Sequence, residues 1–339
     1  MKRAGKQQGV ALLVVLILLV MMSALAARIS QQFCRNLQKT HYQVSQQQLR
    51  WAMLRQEQVI NARLLSATGG EKNVLTLKGE WHAPLETRGE HYTLVSQVED
   101  AQNCFNVNNL LAVPDSGAQE KTPPAAADTE KPRQQQIVER LLVDSGVSTM
   151  MAQEIYLQLV DYLDEDTTTA SEGREDDAWA GLKPARLPAN RMMRNLNELK
   201  LLPAFPAVAW AKARNLFCAL PTTSSRVDVN TLPPQQAGLL AALFPGKLTE
   251  AEAKRVIEAR PEAGWESVNA FSETLAQNAP QLKDDLKQAA DWFDVTSRYF
   301  QVNYTGNTDE LTLRVVSQLR AEQDAGEVRT WQRRYRMIE

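Results

Sequence analysis

Gly9-Val10-Ala11-Leu12-Leu13-Val14 opens the stretch on which the reading of this chain turns, for no charged residue occurs from Val10 to Ala27. At a helical rise of about 1.5 Å per residue, this run comes close to crossing a hydrocarbon core roughly 30 Å thick. Lys2, Arg3 and Lys6 precede it. Cations on a short leading segment hold that end in the cytoplasm, so everything after Arg28 is expected across the membrane. A cleaved secretory signal is the alternative, because Ala24-Leu25-Ala26 would suit a signal peptidase. Against it, the sequence beyond that point keeps its character. Arg28 to Leu65 holds neither Pro nor Gly, and Ile29, Phe33, Leu37 and Val44 recur at near-helical spacing among glutamines. The pattern predicts one uninterrupted helix from the membrane into the far compartment. Cys34 lies too far past the apolar run to be a lipoprotein cysteine.

With 339 residues, 44% apolar and 23% charged, the chain has material for more than one core. A net charge of -2 gives no global electrostatic reason to bind nucleic acid. Cys34, Cys104 and Cys218 are too few for a disulfide scaffold and lack zinc-site spacing. His41, His82 and His91 are scattered, which disfavours metal-hydrolase and catalytic-triad readings.

Beyond the helix, Thr68-Gly69-Gly70 breaks the periodicity, and the alternation from Val74 to Lys78 and from Tyr92 to Val98 predicts two strands. Gly79, Pro84 and Gly89 fall in their connection. Ala112 to Gln134, rich in Pro, Ala and charge, reads as a mobile loop. Helical periodicity runs from Ile137 to Leu163 and persists, with proline interruptions, to about Ala290. Phe293 to Val302, Leu311 to Val316 and Val328 to Tyr335 alternate as strands, with turn signals at Gly306-Asn307 and Asp324-Ala325-Gly326. Strands, helices and strands again imply an α+β fold whose antiparallel sheet is interrupted by a large all-α insertion.

The helical block repeats itself. Phe105-Asn106-Val107-Asn108-Asn109-Leu110 parallels Val227-Asp228-Val229-Asn230-Thr231-Leu232. The second copy continues through Leu239-Leu240-Ala241, Pro245-Gly246 and Gly264-Trp265, an order that resembles helix-hairpin-helix modules, those of DNA-uptake proteins included. Such modules bind phosphate through backbone N–H groups of a two-glycine hairpin. Here the hairpin from Leu243 to Leu248 has one glycine and a proline that removes a donor. Glu250, Glu252 and Glu258 also oppose Lys254 and Arg255. A packed scaffold without a nucleic-acid partner is therefore expected; a membrane-tethered DNA-uptake protein is the rival reading. Trp179, Trp210 and Trp265 stand among apolar helical positions and are expected in the core. Cys104 and Cys218 each precede one of the repeats, so the thiols would meet if the repeats pack side by side; otherwise they are two separately buried thiols. Such a bond would persist in an oxidising compartment.

Eight carboxylates, Asp161, Asp164, Glu165, Asp166, Glu172, Glu175, Asp176 and Asp177, face Arg174 alone. They form either a solvated acidic loop or the oxygen-only donor set of a hard cation, calcium before magnesium. The turn glycine of an EF-hand is missing. Acid-base catalysis needs one carboxylate raised in an apolar pocket, and this loop is polar throughout, so no enzyme is expected. A secreted calcium-dependent hydrolase is a third, weaker reading.

The basic leader ending in Gly9, with Val10-Ala11-Leu12-Leu13-Val14 opening the apolar helix, resembles the prepilin signal of type IV pilins and type II secretion pseudopilins. The family's usual glutamate at the fifth mature position is replaced by Val14, a departure shared by the minor pseudopilin K family, and the resemblance extends over essentially the whole chain. It implies cleavage by prepilin peptidase after Gly9 and methylation of Val10. It also implies a structural calcium site, because Asp161-Tyr162-Leu163-Asp164-Glu165-Asp166 and Gly173-Arg174-Glu175-Asp176 match the family's acidic motifs; Asp164, Asp166, Glu175, Asp176 and Asp177 are the expected ligands. By the same resemblance the chain is a non-catalytic tip subunit. Its partners would be minor pseudopilins I and J, the major pseudopilin and the inner-membrane assembly platform, with its body in the periplasm. The expected organisation is a leader at 1–9, a transmembrane segment at 10–27 and a periplasmic helix at 28–66. Sheet halves at 67–108 and 291–339 would then flank a helical insertion at 109–290.

Overall fold

The computed structural model describes residues 8–69, 74–112, 131–165, 187–322 and 325–338, together with 179, 181 and 183. The first element, α1, runs without interruption from Gln8–Thr68. Its 61 residues span about 90 Å. The apolar N-terminal part is exposed from Val10 to beyond Leu37, whereas Leu49, Met53, Ile60 and Leu64 are buried. This apolar part is the one described helix long and apolar enough to cross a membrane.

The C-terminal part of α1 lies across a five-stranded antiparallel sheet. Its strands are β1 (Leu85–Arg88), β2 (Thr93–Asp100), β7 (Tyr299–Asn307), β8 (Thr312–Glu322) and β9 (Glu327–Ile338), in that spatial order. Alternate residues of β2, β7 and β8 point at the helix, so Leu94, Val98, Val302, Tyr304, Leu313, Val315 and Leu319 close one core with α1. Gly306 is needed at the closest approach: a Cβ there would stand 2.8 Å from a methyl of Leu49. Across this interface Glu57 of α1, itself buried, pairs with both carboxylate oxygens toward Arg333 of β9 and accepts from Thr330.

The chain leaves the sheet after Asp100 and re-enters it at Tyr299. Between these points a second core gathers Phe105, Ile137, Leu141, Ile155, Trp179, Phe217, Leu240, Phe244, Trp265, Phe271 and Phe293. Its helices include α2 (Arg133–Asp144), α3 (Thr149–Leu163), α4 (Trp210–Leu216), α5 (Ala237–Ala242), α6 (Glu250–Glu258), α7 (Val268–Asn278) and α8 (Leu286–Ala289). The helical run expected from Ile137 to Leu163 is broken at Gly146, whose φ of 96° ends α2. Ser148 then caps α3 by accepting from the Met151 amide.

Two expectations need correction. Val74 to Lys78 is not a strand. Thr76 instead accepts from the Gly79 amide and the Trp81 indole, forming a turn, while the first strand lies at Leu85–Arg88 in what reads as a connection. Alternation alone does not supply a pairing partner, and the two sides of β2 are taken by β1 and β7. Phe105–Asn106 and Phe293–Asp294, which the sequence reading assigns to the sheet domain, form β3 and β6 within the insertion. Each pairs in parallel with another insert segment, β3 with β4 (Phe217–Cys218) and β6 with β5 (Val227–Asp228).

Candidate assembly surface and insert junction

At about 100° per residue, Phe33, Leu37, Val44 and Trp51 fall within roughly 40° of one another on α1 and opposite the row that packs on the sheet. All four are exposed, Trp51 by 69% and Phe33 by 64%. Spacings of seven between Leu37, Val44 and Trp51 suit a partner helix packed at a shallow angle. The row continues into the apolar run from Val10, so exposed apolar residues recur on one face of α1 from its start to the sheet while the opposite face, from Leu49 onward, is already used. A row of large exposed apolar side chains along one helix face marks a candidate interaction surface.

The two repeats found in the sequence are two structural units built alike. In the first, buried Asn108 accepts from the Met193 amide at 2.8 Å and donates to the Met193 and Leu220 carbonyls at 3.0 and 2.8 Å. In the second, buried Asn230 accepts from the Trp265 amide at 2.7 Å and donates to the Trp265 and Val295 carbonyls at 3.0 and 3.4 Å. Each asparagine thus pins a distant loop to the end of its two-strand ladder, using donor and acceptor together. Asn106 and Asp228, two residues earlier, each accept from the amide of the clamping asparagine.

A disulfide joins Cys104 and Cys218, with Cα atoms 5.8 Å apart and a sequence separation of 114. It forms because β4 pairs beside β3, bringing the end of the first unit to its start; the repeat strands β3 and β5 each pair with another segment and not with each other. Cys34 is free and exposed on α1.

Where the insert meets the sheet, Gln102 accepts from the Arg298 and Tyr299 amides and donates to the Arg226 carbonyl. Asn103 donates to the Thr231 carbonyl and hydroxyl. Gln102 ties together the outgoing, middle and returning segments, and Asn103 ties the outgoing to the middle one. The sequence reading missed them; their signal was only a polar pair beside Cys104 that proves to be almost wholly buried.

Family models for the type II secretion system protein K match residues 103–222 and 227–296. The type II secretion system protein K of Klebsiella pneumoniae is 33% identical over 305 residues, covering 88% of each chain. The putative type II secretion system protein K of Escherichia coli K12 is 30% identical over 307 residues, covering 90% of this chain and 91% of that one. In the crystal structure of the GspK-GspI-GspJ complex from the enterotoxigenic Escherichia coli type 2 secretion system, one chain superposes with a TM-score of 0.74 at 25% identity, over 88% of this chain and 99% of that chain. The chain belongs to the type II secretion system protein K family.

In this K-family chain the two matched segments are the two structural units, and the break between them, from Thr222 to Val227, separates β4 from β5. The hairpin between α5 and α6 has Gly246 at a φ of 71°. Thr249 and Glu252 close a capping box at the start of α6. The neighbouring cations are engaged: Lys247 with Asp285, Lys131 with Glu139, and Arg133 with the Leu243 carbonyl and the Phe244 ring. Trp179 and Trp265 are buried, Trp179 against the Tyr162 ring at 5.6 Å, while Trp210 is half-buried beneath Lys200. Of the expected calcium ligands, Asp164 is half-buried just after α3, one turn beyond the fully buried Asp161. Asp166, Glu175, Asp176 and Asp177 lie outside the described residues, as do most of the leader expected at 1–9 and most of the loop expected at 112–134.

Proposed function

We propose that this K-family chain is a non-catalytic minor pseudopilin at the tip of the type II secretion pseudopilus, where it joins minor pseudopilins I and J and initiates assembly above the major pseudopilin. The observation that carries this reading is the exposed apolar run of α1 from Val10, extended by Phe33, Leu37, Val44 and Trp51 on the face turned away from the sheet. A helix in lipid hides that face among acyl chains; a helix drawn out of lipid hides it only against other helices, which couples membrane exit to assembly. The partner set is supported by the solved complex, which holds a GspK chain together with GspI and GspJ.

In this reading α1 is a single inner-membrane span with the body in the periplasm, set on the assembly platform. The maturation step is tested at the N-terminus. Prepilin peptidase is expected to cut after Gly9, so the mature chain purified from membranes starts at Val10 with a methylated amine. Intact-mass and N-terminal peptide measurements decide it, and a start at Ala27 would identify an ordinary signal peptide instead.

The same proposal gives the acidic loop a structural calcium ion held by Asp164, Asp166, Glu175, Asp176 and Asp177. By sequence that donor set is carboxylate oxygen alone, which suits a hard cation. Binding to the folded state alone adds about 2.7 kcal/mol at a hundredfold excess over Kd. Chelation is therefore expected to lower the melting temperature of the full chain in detergent, and Asp176→Ala with Asp177→Ala to remove the difference. Equal responses of wild type and double variant would leave the loop a solvated acidic surface.

A further inference from the structure

Asp228 and Ser297 have no exposed surface, and both belong to the junction through which the insert is hung from the sheet. Asp100, the last residue of β2, keeps some exposure toward a cleft of about 560 Å³ between insert and sheet. One oxygen of Asp100, Oδ2, accepts hydrogen bonds from the hydroxyls of both Ser297 and Thr231. The Ser297 oxygen also lies 3.4 Å from Oδ2 of Asp228. A serine hydroxyl has one hydrogen to give. Once it points at Asp100, Ser297 presents a lone pair to Asp228, and two bare oxygens would face each other in a buried space. Thr231 cannot relieve this, because its own hydrogen is directed at Asp100 and its lone pair receives the Asn103 amide at 3.1 Å. Oδ1 of Asp228 already accepts from the Asn230 amide at 2.8 Å, so Oδ2 is the atom that lacks a hydrogen.

We infer that Asp228 carries a proton in the folded protein at neutral pH and donates it to Ser297, so that Asp100, Ser297 and Asp228 form a one-proton latch between sheet and insert that alkaline pH releases. Of the charged groups facing Asp228, Asp100 and Asp294 of β6 are negative, and both disfavour its ionisation. Arg260 is the facing cation, and its guanidinium is committed to the Val229 and Leu232 carbonyls at 3.1 and 2.9 Å. Arg226, two residues before Asp228, turns to Asp291 at the surface. Burial first, and the Asp100 charge second, hold the Asp228 carboxyl well above the ordinary range. Burial also raises Asp100, against the hydroxyl bonds from Ser297 and Thr231 that favour its ionised form.

The sign follows from linkage. Above the ordinary Asp value of about 3.9 the unfolded chain has lost this proton and the folded chain has kept it, so rising pH favours unfolding until the folded carboxyl also ionises. One retained proton makes the folding constant fall up to about tenfold per pH unit in that window. The test uses the full chain in detergent. Infrared spectra of the wild type at pH 7 are expected to show a protonated carboxyl band that Asp228→Asn removes and Asp100→Asn retains. The Asp228→Asn amide keeps a donor toward Ser297, so this variant is expected to melt no lower than wild type at pH 8 to 9, with a flatter pH dependence. The inference is overturned if the wild type lacks the band, if Asp100→Asn rather than Asp228→Asn abolishes it, or if Asp228→Asn melts lower with the pH slope unchanged.

Discussion

Replacing Cys104 and Cys218 together by serine is expected to destabilise the insert by about 4–5 kcal/mol, the entropic value for a cross-link closing a loop of about a hundred residues. The bond bridges a sequence separation of 114. It closes the first structural unit where the covalent chain gives least help, since β3 and β4 contribute only Phe105–Asn106 and Phe217–Cys218 to their ladder. Edge-to-face packing of Phe105 on Phe217 and the Asn106 bonds to Leu220 and Thr222 remain after the bond is cut. They now have to order a free loop rather than a closed one. Denaturant unfolding followed by tryptophan emission, with the oxidised wild type and the Cys34→Ser variant for comparison, reads the effect. The double serine variant should unfold at clearly lower denaturant, and Cys34→Ser should not, because Cys34 is exposed and unpaired. An unchanged midpoint in the double variant would mean that the ladder and the Asn108 clamp close the unit by themselves.

The second unit has the same clamp without the bond. Asp228 and Asp294 stand opposite each other in its ladder where Asn106 and Cys218 stand in the first. What a disulfide does in one unit is left in the other to the Asn230 clamp and the junction around Asp100. That difference makes the second unit the one whose attachment responds to protonation.

The long helix, the division into two cores and the interrupted sheet are legible in the sequence because each rests on a long periodic signal. The 61-residue α1 has no Pro or Gly between Arg28 and Leu65 to stop it, and the strands β7 and β8 alternate over nine and eleven residues. Short elements were not legible. Leu85–Arg88 reads as connection because four residues of mixed polarity acquire strand geometry only from their pairing with β2. The parallel ladders of two residues each are set by which loops the asparagines grip, and no local pattern reports a partner 85 residues away, as between Asn108 and Met193. The repeat itself was visible, and its buried asparagines turn out to be its working parts. Ser297 carried no signal, and Gln102 only that of a polar neighbour of Asn103, since a polar residue beside a strand reads the same whether it faces water or closes a junction.

The largest effect on assembly is expected from Val44→Asp combined with Trp51→Asp. Both residues lie on the sheet-averted face of α1, exposed by 50% and 69%, so the body loses no packing when they change. In a helix-helix contact each would bury a large apolar side chain worth about 1.5–3 kcal/mol, and an aspartate adds the cost of desolvating a charge. The pair should therefore weaken association by at least about 4 kcal/mol, three powers of ten in Kd. The deciding measurement is co-purification of the full chain with co-expressed minor pseudopilins I and J from detergent-solubilised membranes, wild type against double variant, with circular dichroism to establish that the variant is folded. Recovery of I and J with the wild type and their loss with the folded variant is the predicted result; equal recovery with both would show that the exposed face of α1 is not the assembly surface and would contradict the account.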